Sequence, residues 1–371
     1  MGRRRAAGGS VIIGFFGTVF RGLILMALLE VNGINHAYPG KKVGLGGVSL
    51  RVEKGQIGCL MGPSGAGKST VLSCIAGLEP VSGGEIRIGG RKMSGDGVAV
   101  PPEKRGVGMV FQDLALFPHL SVADNIRFGG GGKNGGVVNE MCELCGLSKL
   151  RDAFPHELSG GEQQRAALAR SLAAKPEVLL MDEPFSRLDE TLRERLARQV
   201  REILKSRGLT ALFVTHNQHE AFLLADCGGV INQGVVCQWD DIYDLYRRPR
   251  CAFVAEFVGD GALLRGTLAA GGAVKMEMGV LPGDGRNDGF LLAPGDAVQV
   301  LLRPDDIQLA EDGVPARVEE RAFRGPTTLY ALRLASGGRV FSQWPSHIHF
   351  HPGDRVAVRA EVKDLVLFPA A

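Results

Sequence analysis

Four short apolar runs, at residues 57–61, 107–111, 178–181 and 210–215, punctuate the first two thirds of the chain. None alternates with polar residues, the pattern of strands buried on both faces of a sheet. Helical spacing lies between them. One helix is predicted from Lys68 to about Ala76, stopped by Gly77, and another from Ser159 to about Lys175. A third carries Leu192, Leu196, Val200, Ile203 and Leu204 on one stripe. Residues 27–52 alternate loosely, with turn signals at Gly40 and Gly44 to Gly47, and predict a short antiparallel β-region; a hairpin ending near Met93 follows the first helix. Residues 113–158 read as a helical insertion, with helices at 120–126 and 138–147 separated by the glycine-rich tract 129–136. Beyond Gly259 the pattern changes to short alternating strands, with turns at residues 282–285, 294–296, 312–313, 336–338 and 352–354. That predicts a small all-β barrel, with Val356, Val358 and Val362 on one face of its last strand and Arg359 and Glu361 on the other.

The ends of the four apolar runs carry the candidate chemistry. Gly62-Pro63-Ser64-Gly65-Ala66-Gly67-Lys68-Ser69, followed by Thr70, matches the phosphate-binding loop pattern GxxxxGK[ST] between a strand and a helix. Glycines let backbone N–H groups converge where the helix dipole is positive, Lys68 can reach β- and γ-phosphates, and Ser69 can complete a Mg²⁺ shell. The second run leads to Gln112. The third delivers Asp182, suited to face Mg²⁺, and Glu183, suited to take a proton from an attacking water. The fourth ends in His216. In open α/β sheets ligands bind beyond the carboxyl ends of the strands, so four such residues form a constellation. Ser159 and Glu162 make a capping box that opens a helix with Gly160 and Gly161, either an ordinary cap or a second anion-ready N-terminus. Tyr38 either stacks on a base or packs in the core.

With 371 residues the chain is long enough for about two domains. Its formal charge is +3 with dispersed Lys and Arg, which argues against nucleic acid as a partner. The 7 cysteines have no framework spacing and suit a reducing cytosol; Cys142 and Cys145 form a CxxC pair inside a helical pattern, which argues against a redox or metal role. Gly2 to Arg5 and the apolar residues 11–20 look like parts of a signal peptide, but Arg21 interrupts the run and it is too short to span a bilayer. The functional chain is therefore expected to begin at Met26, with residues 1–25 a mis-assigned or disordered extension.

With a phosphate loop, the run Leu158-Ser159-Gly160-Gly161-Glu162-Gln163-Gln164-Arg165, and Leu179-Leu180-Met181-Asp182-Glu183-Pro184 in that order, residues 26–245 resemble the ATP-binding subunit of an ATP-binding-cassette (ABC) transporter. The resemblance implies an α/β P-loop cassette: a RecA-like core sheet, an antiparallel β subdomain and the helical subdomain at 113–158. By motif, Tyr38 resembles the adenine-stacking aromatic, Gly62 to Thr70 the Walker A loop, Gln112 the Q-loop glutamine, and Leu158 to Gln163 the signature. Asp182 resembles the Walker B aspartate, Glu183 the catalytic glutamate, Ser186 to Asp189 the D-loop and His216 the switch histidine. The implied cofactors are ATP and Mg²⁺, the latter held by Ser69, Gln112 and Asp182. Ser159, Gly160, Gly161, Gln163 and Asp189 would meet ATP bound by the other subunit of a head-to-tail homodimer. Arg187 and Asn217 depart from the family pattern, which puts the strength of dimer contacts in doubt, and the 129–136 tract is shorter and richer in glycine than is usual.

Residues 246–371, through Phe253 to Gly259 and Leu302 to Asp306, resemble the regulatory β-domain of importer ATPases, an OB-like barrel. The resemblance implies a peripheral protein on the cytoplasmic face of the plasma membrane. It implies permease subunits as partners and, indirectly, a solute-binding protein. Two other classes are a soluble cassette ATPase of DNA repair or translation, which usually carries two cassettes or long coiled coils, and a regulator without turnover. Pro345 to Gly353 resembles the histidine-containing stretch of iron(III) importer ATPases, which makes ferric iron the expected solute over sulfate, polyamine, phosphonate or sugar. If 346–351 is extended, His347, His349 and His351 project from one face and could gather around a metal, but imidazoles without carboxylate or tyrosinate make a poor ferric site, so a solvent-facing edge or turn before Pro352-Gly353 is expected instead of direct metal binding.

Overall fold

All four apolar runs pair side by side, because strands with no polar face need cover on both sides. The computed structural model describes residues 27–38, 40, 44–132, 135–186, 188–283, 290 and 292–370. The expected 1–25 extension, Met26, Arg187 and the middle of the glycine tract lie outside the described residues. The central sheet runs in the order Val235–Asp241, Cys227–Asn232, Ile57–Met61, Thr210–Thr215, Val178–Asp182, Val107–Val110. It is parallel except for the hairpin at its first edge. Alternate residues face opposite layers. Leu60, Leu180, Leu212 and Val214 pack under the antiparallel sheet that contains Ala27–His36, Leu45–Glu53 and Gly83–Ile88. Cys59, Met61, Leu179, Met181 and Phe213 pack on the helical side.

The helices are α1 (Lys68–Ala76), α2 (Val122–Gly129), α3 (Gly135–Leu144), α4 (Gly160–Ala173), α5 (Glu190–Ser206), α6 (Gln218–Leu224), α7 (Ile242–Arg247) and α8 (Ala252–Phe257). Three sequence boundaries need correction. Phe111 is apolar but 37% exposed, and the second strand stops at Val110. α2 starts after Ser121, whose hydroxyl accepts the Asp124 N–H at 3.1 Å. α3 begins at Gly135, so part of the glycine tract is helix. Cys142 and Cys145 are buried free thiols, and burial pushes Cys145 up to about 12, so neither is a ready nucleophile or ligand.

Two antiparallel sheets, one built on Ala262–Leu268 and Ala297–Leu302 and the other on Ile307–Phe323 and Thr327–Leu334, close around Val300, Val318, Tyr330, Leu332 and Val358. The result is the expected barrel-like β-domain. Its Arg355–Ala360 strand buries Val356 and Val358 as expected, but Val362 lies beyond the strand end and Leu367–Pro369 follows as a further strand. Residues 346–347 form a turn, closed by the Ile348 N–H to Pro345 O bond at 2.9 Å. The extended histidine face is therefore not formed, and among the described residues no three potential ligands gather to hold a metal.

Arg303 ties this domain to α7 and α8, whose Leu245 and Val254 pack into the helical-side core of the cassette. It is 3% exposed, and its guanidinium donates to the carbonyls of Ala255, Gly259 and Asp260, and to that of Tyr246, over whose ring it lies at 4.3 Å.

Candidate functional site

The strand Ile57–Met61 ends against Ile231, where a side chain on Gly62 would put its Cβ 2.3 Å from the Ile231 carbonyl oxygen. Only glycine lets the loop leave the strand at this point. The loop then reaches Gly67, which adopts φ 104° as the residue before α1. No side chain caps α1, so its first N–H groups are left for a ligand. At the other end, Arg105 fixes the helix by donating from Nη1 to the carbonyls of Cys74 and Ile75, both at 3.0 Å.

A cleft of about 680 Å3 opens over this helix start, lined by Ser64, Gly65, Gly67, Lys68, Ser69 and Thr70. Tyr38, Gln112 and Glu183 complete its wall, together with Gly44, which the sequence offered only as a turn signal. Gly62, Pro63 and the buried Ala66 are not among the lining residues. A larger cleft of about 840 Å3 lies between α6, α7 and the β-domain, but none of the phosphate-loop residues is in it. Residue type decides in favour of the smaller cleft.

Tyr38 belongs to neither cassette core. Its ring meets His36 edge-on at 4.5 Å, and its hydroxyl is 3.3 Å from Thr70 Oγ1. Lys68, 5% exposed, turns its amine back to the Gly62 and Pro63 carbonyls at 2.9 and 3.1 Å, with Glu183 Oε1 at 3.9 Å. Burial lowers its pKa, opposed by the Glu183 and Asp182 carboxylates. Ser69 Oγ donates to Asp182 Oδ1 at 2.9 Å, which joins two hard oxygen donors at one point. Burial raises the Asp182 carboxyl; the Ser69 bond and Lys68 oppose the rise. Glu183 has φ 42°, uncommon for a residue with a side chain, and its carboxylate spans from Lys68 to His216 Nδ1, 3.2 Å from Oε2. The site therefore offers a cradle for a polyphosphate, a paired hydroxyl and carboxylate for a hard cation, and a carboxylate held by a histidine.

Ser159, Gly160, Gly161, Gln163 and Asp189 stand outside the cleft. The Ser159 N–H and hydroxyl both donate to Glu162, at 2.8 and 2.7 Å. Gly160 and Gly161 press against Leu188 and Leu196 of their own chain, and the Gln163 amide donates to the Pro155 carbonyl at 2.8 Å. Asp189 caps α5 by accepting the Leu192 N–H at 2.9 Å. Asn217, a departure from the family pattern, caps α6 by accepting from His219 and Glu220, a task that Asn and Asp serve about equally. Arg193 and Glu220, which frame Glu183 and His216 from behind, gave no signal in the sequence beyond charged helical residues.

Comparison with known proteins agrees with this geometry. The family model described as ABC transporter matches residues 45–186, and that of the TOBE domain matches residues 300–368. The chain is 40% identical over 323 residues to an Fe(3+) ions import ATP-binding protein of Mesorhizobium japonicum, covering 83% of this chain and 88% of that one. It is 38% identical to a spermidine/putrescine import ATP-binding protein of Rubrobacter xylanophilus, covering 86% and 88%. A sulfate/thiosulfate import ATP-binding protein of Agrobacterium fabrum is 42% identical, covering 87% and 94%. Among solved structures, a dimeric post-hydrolysis ATP-binding cassette bound to ADP and Pi superposes with TM-score 0.51 at 27% identity, covering 58% of this chain and 98% of that one. A component of an ABC transporter complex from Clostridium perfringens gives 0.55 at 25% identity, covering 62% and 92%. This chain belongs to the ABC transporter family, as an importer ATP-binding subunit with a cassette followed by a TOBE domain.

Proposed function

We propose that the chain binds MgATP at the phosphate loop, pairs head to tail with a second copy, and hydrolyses ATP to drive ferric iron import through a membrane permease. The carrying observation is the placement of Glu183 between Lys68 and His216, beside Ser69 and Asp182. Lys68 and the α1 N–H groups bind and orient the phosphates. Ser69 and Asp182, with Gln112 at the rim, would hold Mg²⁺, which when bound neutralises phosphate charge. Glu183 accepts the proton of the attacking water, and His216 keeps its carboxylate aimed.

That Ser159, Gly160, Gly161, Gln163 and Asp189 stand outside their own chain's cleft supports a second copy as the source of the remaining contacts. Among the described residues no helix is long and apolar enough to cross a membrane. Attachment to the cytoplasmic face through a permease accords with this, and exposed Phe111, Phe128 and Phe154 around the helical insertion suit such a contact. Replacing Lys68 by Ala should weaken ATP binding about 10- to 100-fold, the loss of a charged hydrogen-bond donor. Unchanged affinity in a titration with a fluorescent ATP analogue would refute the site.

Ferric iron rests on the resemblance of Pro345 to Gly353 and on relatives named for Fe(3+) import. Relatives named for spermidine/putrescine and for sulfate/thiosulfate favour a second reading, import of a polyamine or of sulfate. Deleting the gene and measuring uptake of radiolabelled ferric iron, putrescine and sulfate separates them: loss of iron uptake alone is expected, and loss of either other solute with iron unchanged overturns the assignment.

A further inference from the structure

Glu220 is 4% exposed, deep for a carboxylate, and everything it touches leads back to Glu183. One oxygen accepts a hydrogen bond from Thr215 Oγ1, and that hydroxyl accepts the Asn217 N–H at 3.0 Å. The two bonds hold the segment on either side of His216. The other oxygen lies 3.3 Å from Nε of Arg193, on α5. Arg193 in turn donates to the carbonyls of Phe185 and Leu188, at 3.4 and 2.9 Å. Those carbonyls belong to the turn that leaves Glu183, closed from within by Ser186, whose N–H and hydroxyl donate to the Glu183 carbonyl at 3.2 and 3.0 Å. With the His216–Glu183 contact, the chain of partners closes into a ring running Glu183, the Phe185 and Leu188 carbonyls, Arg193, Glu220, Thr215, His216 and back to Glu183.

A buried ion pair is weak evidence of stability, because desolvation offsets most of its Coulomb attraction. What this pair does is set two backbone segments at a fixed separation, one carrying the histidine and the other the base. We infer that the Glu220–Arg193 pair positions Glu183 and His216 for hydrolysis, so that the backbone at Phe185 and Leu188 and the histidine segment move as one body. Neither residue lines the phosphate cleft, so both act through others. The inference rests on the reading of Glu183 as the base that activates water.

Glu220→Gln keeps the shape and an acceptor for Thr215 but removes the charge that faces Arg193. It should lower kcat for ATP about tenfold or more, while KM for ATP and the affinity for a non-hydrolysable analogue change less than about threefold. Arg193→Ala should lower kcat alike and Arg193→Lys should recover part of it. The Glu220→Gln, Arg193→Ala double variant should be no worse than the worse single one, the mark of two residues in one linkage. If Glu220→Gln does not fold, the variants at Arg193, whose side chain is 25% exposed, decide alone. Hydrolysis by Arg193→Ala within about twofold of wild type, or a kcat loss matched by an equal loss of analogue affinity, overturns the inference. The wild type and Glu183→Gln run beside them: an inactive wild type or an active Glu183→Gln defeats the parent reading instead.

Discussion

His216 Nδ1 lies 3.2 Å from Glu183 Oε2, while Lys68 Nζ lies 3.9 Å from Oε1 of the same carboxylate. The base is thus steered from both sides, by a histidine at the end of one strand and a lysine at the start of α1. Its carboxylate is 17% exposed, open enough for water to reach it. If the histidine serves aim and not nucleotide binding, His216→Ala should lower kcat about 100-fold with ATP affinity held within about threefold. Phosphate release and equilibrium binding of a fluorescent ATP analogue measure the two separately, and a parallel loss in both would make His216 a binding residue.

Arg303 is the pin between the two domains. Removing its guanidinium in Arg303→Met leaves the Ala255, Gly259 and Tyr246 carbonyls without their donor. Unsatisfied buried acceptors of this kind cost about 1–3 kcal/mol each, so the domains should separate their melting transitions in calorimetry and residues 247–261 should become open to limited proteolysis. A single unchanged transition would contradict the role.

Asp306 gives a pH signature. Burial raises its carboxyl from 3.8 to about 6, although the Arg303 N–H donates to it at 2.8 Å. Between those values the folded protein holds a proton that the unfolded chain has released, so this group adds stability below about pH 4 and the gain is lost as pH rises through 6. Asp306→Asn removes the titration. Its unfolding free energy relative to wild type, from denaturant titrations, should therefore rise between pH 4.5 and 7.5 by an amount on the order of 1–3 kcal/mol. A constant difference across that range would refute the buried-carboxyl account.

The sequence carried most of the cassette because its signals are local. The apolar runs at 57–61 and 210–215 match their strands to the residue, and Gly77 stops α1 with φ 83° where expected. Locality is also where it failed. Phe111 continues an apolar run past the end of its strand. Arg193, Glu220 and Arg303 were invisible as functional residues, since a charged residue in a helix or turn reads as solvated until the fold buries it. The joining of residues 193, 215 and 220 is a tertiary fact. Ser159 to Gln163 and Asp189 were legible as motifs, and they stand outside their own chain's cleft.

The account turns on Glu183 as the residue that activates water. Glu183→Gln preserves the side chain's size and its reach toward Lys68 and His216 but cannot accept the proton. Phosphate release by this variant, measured at saturating MgATP with dimer content followed by light scattering, is the most direct test. The account predicts hydrolysis at least about 100-fold below wild type, with ATP still bound and a stable dimer accumulating. Turnover near the wild-type rate would contradict it.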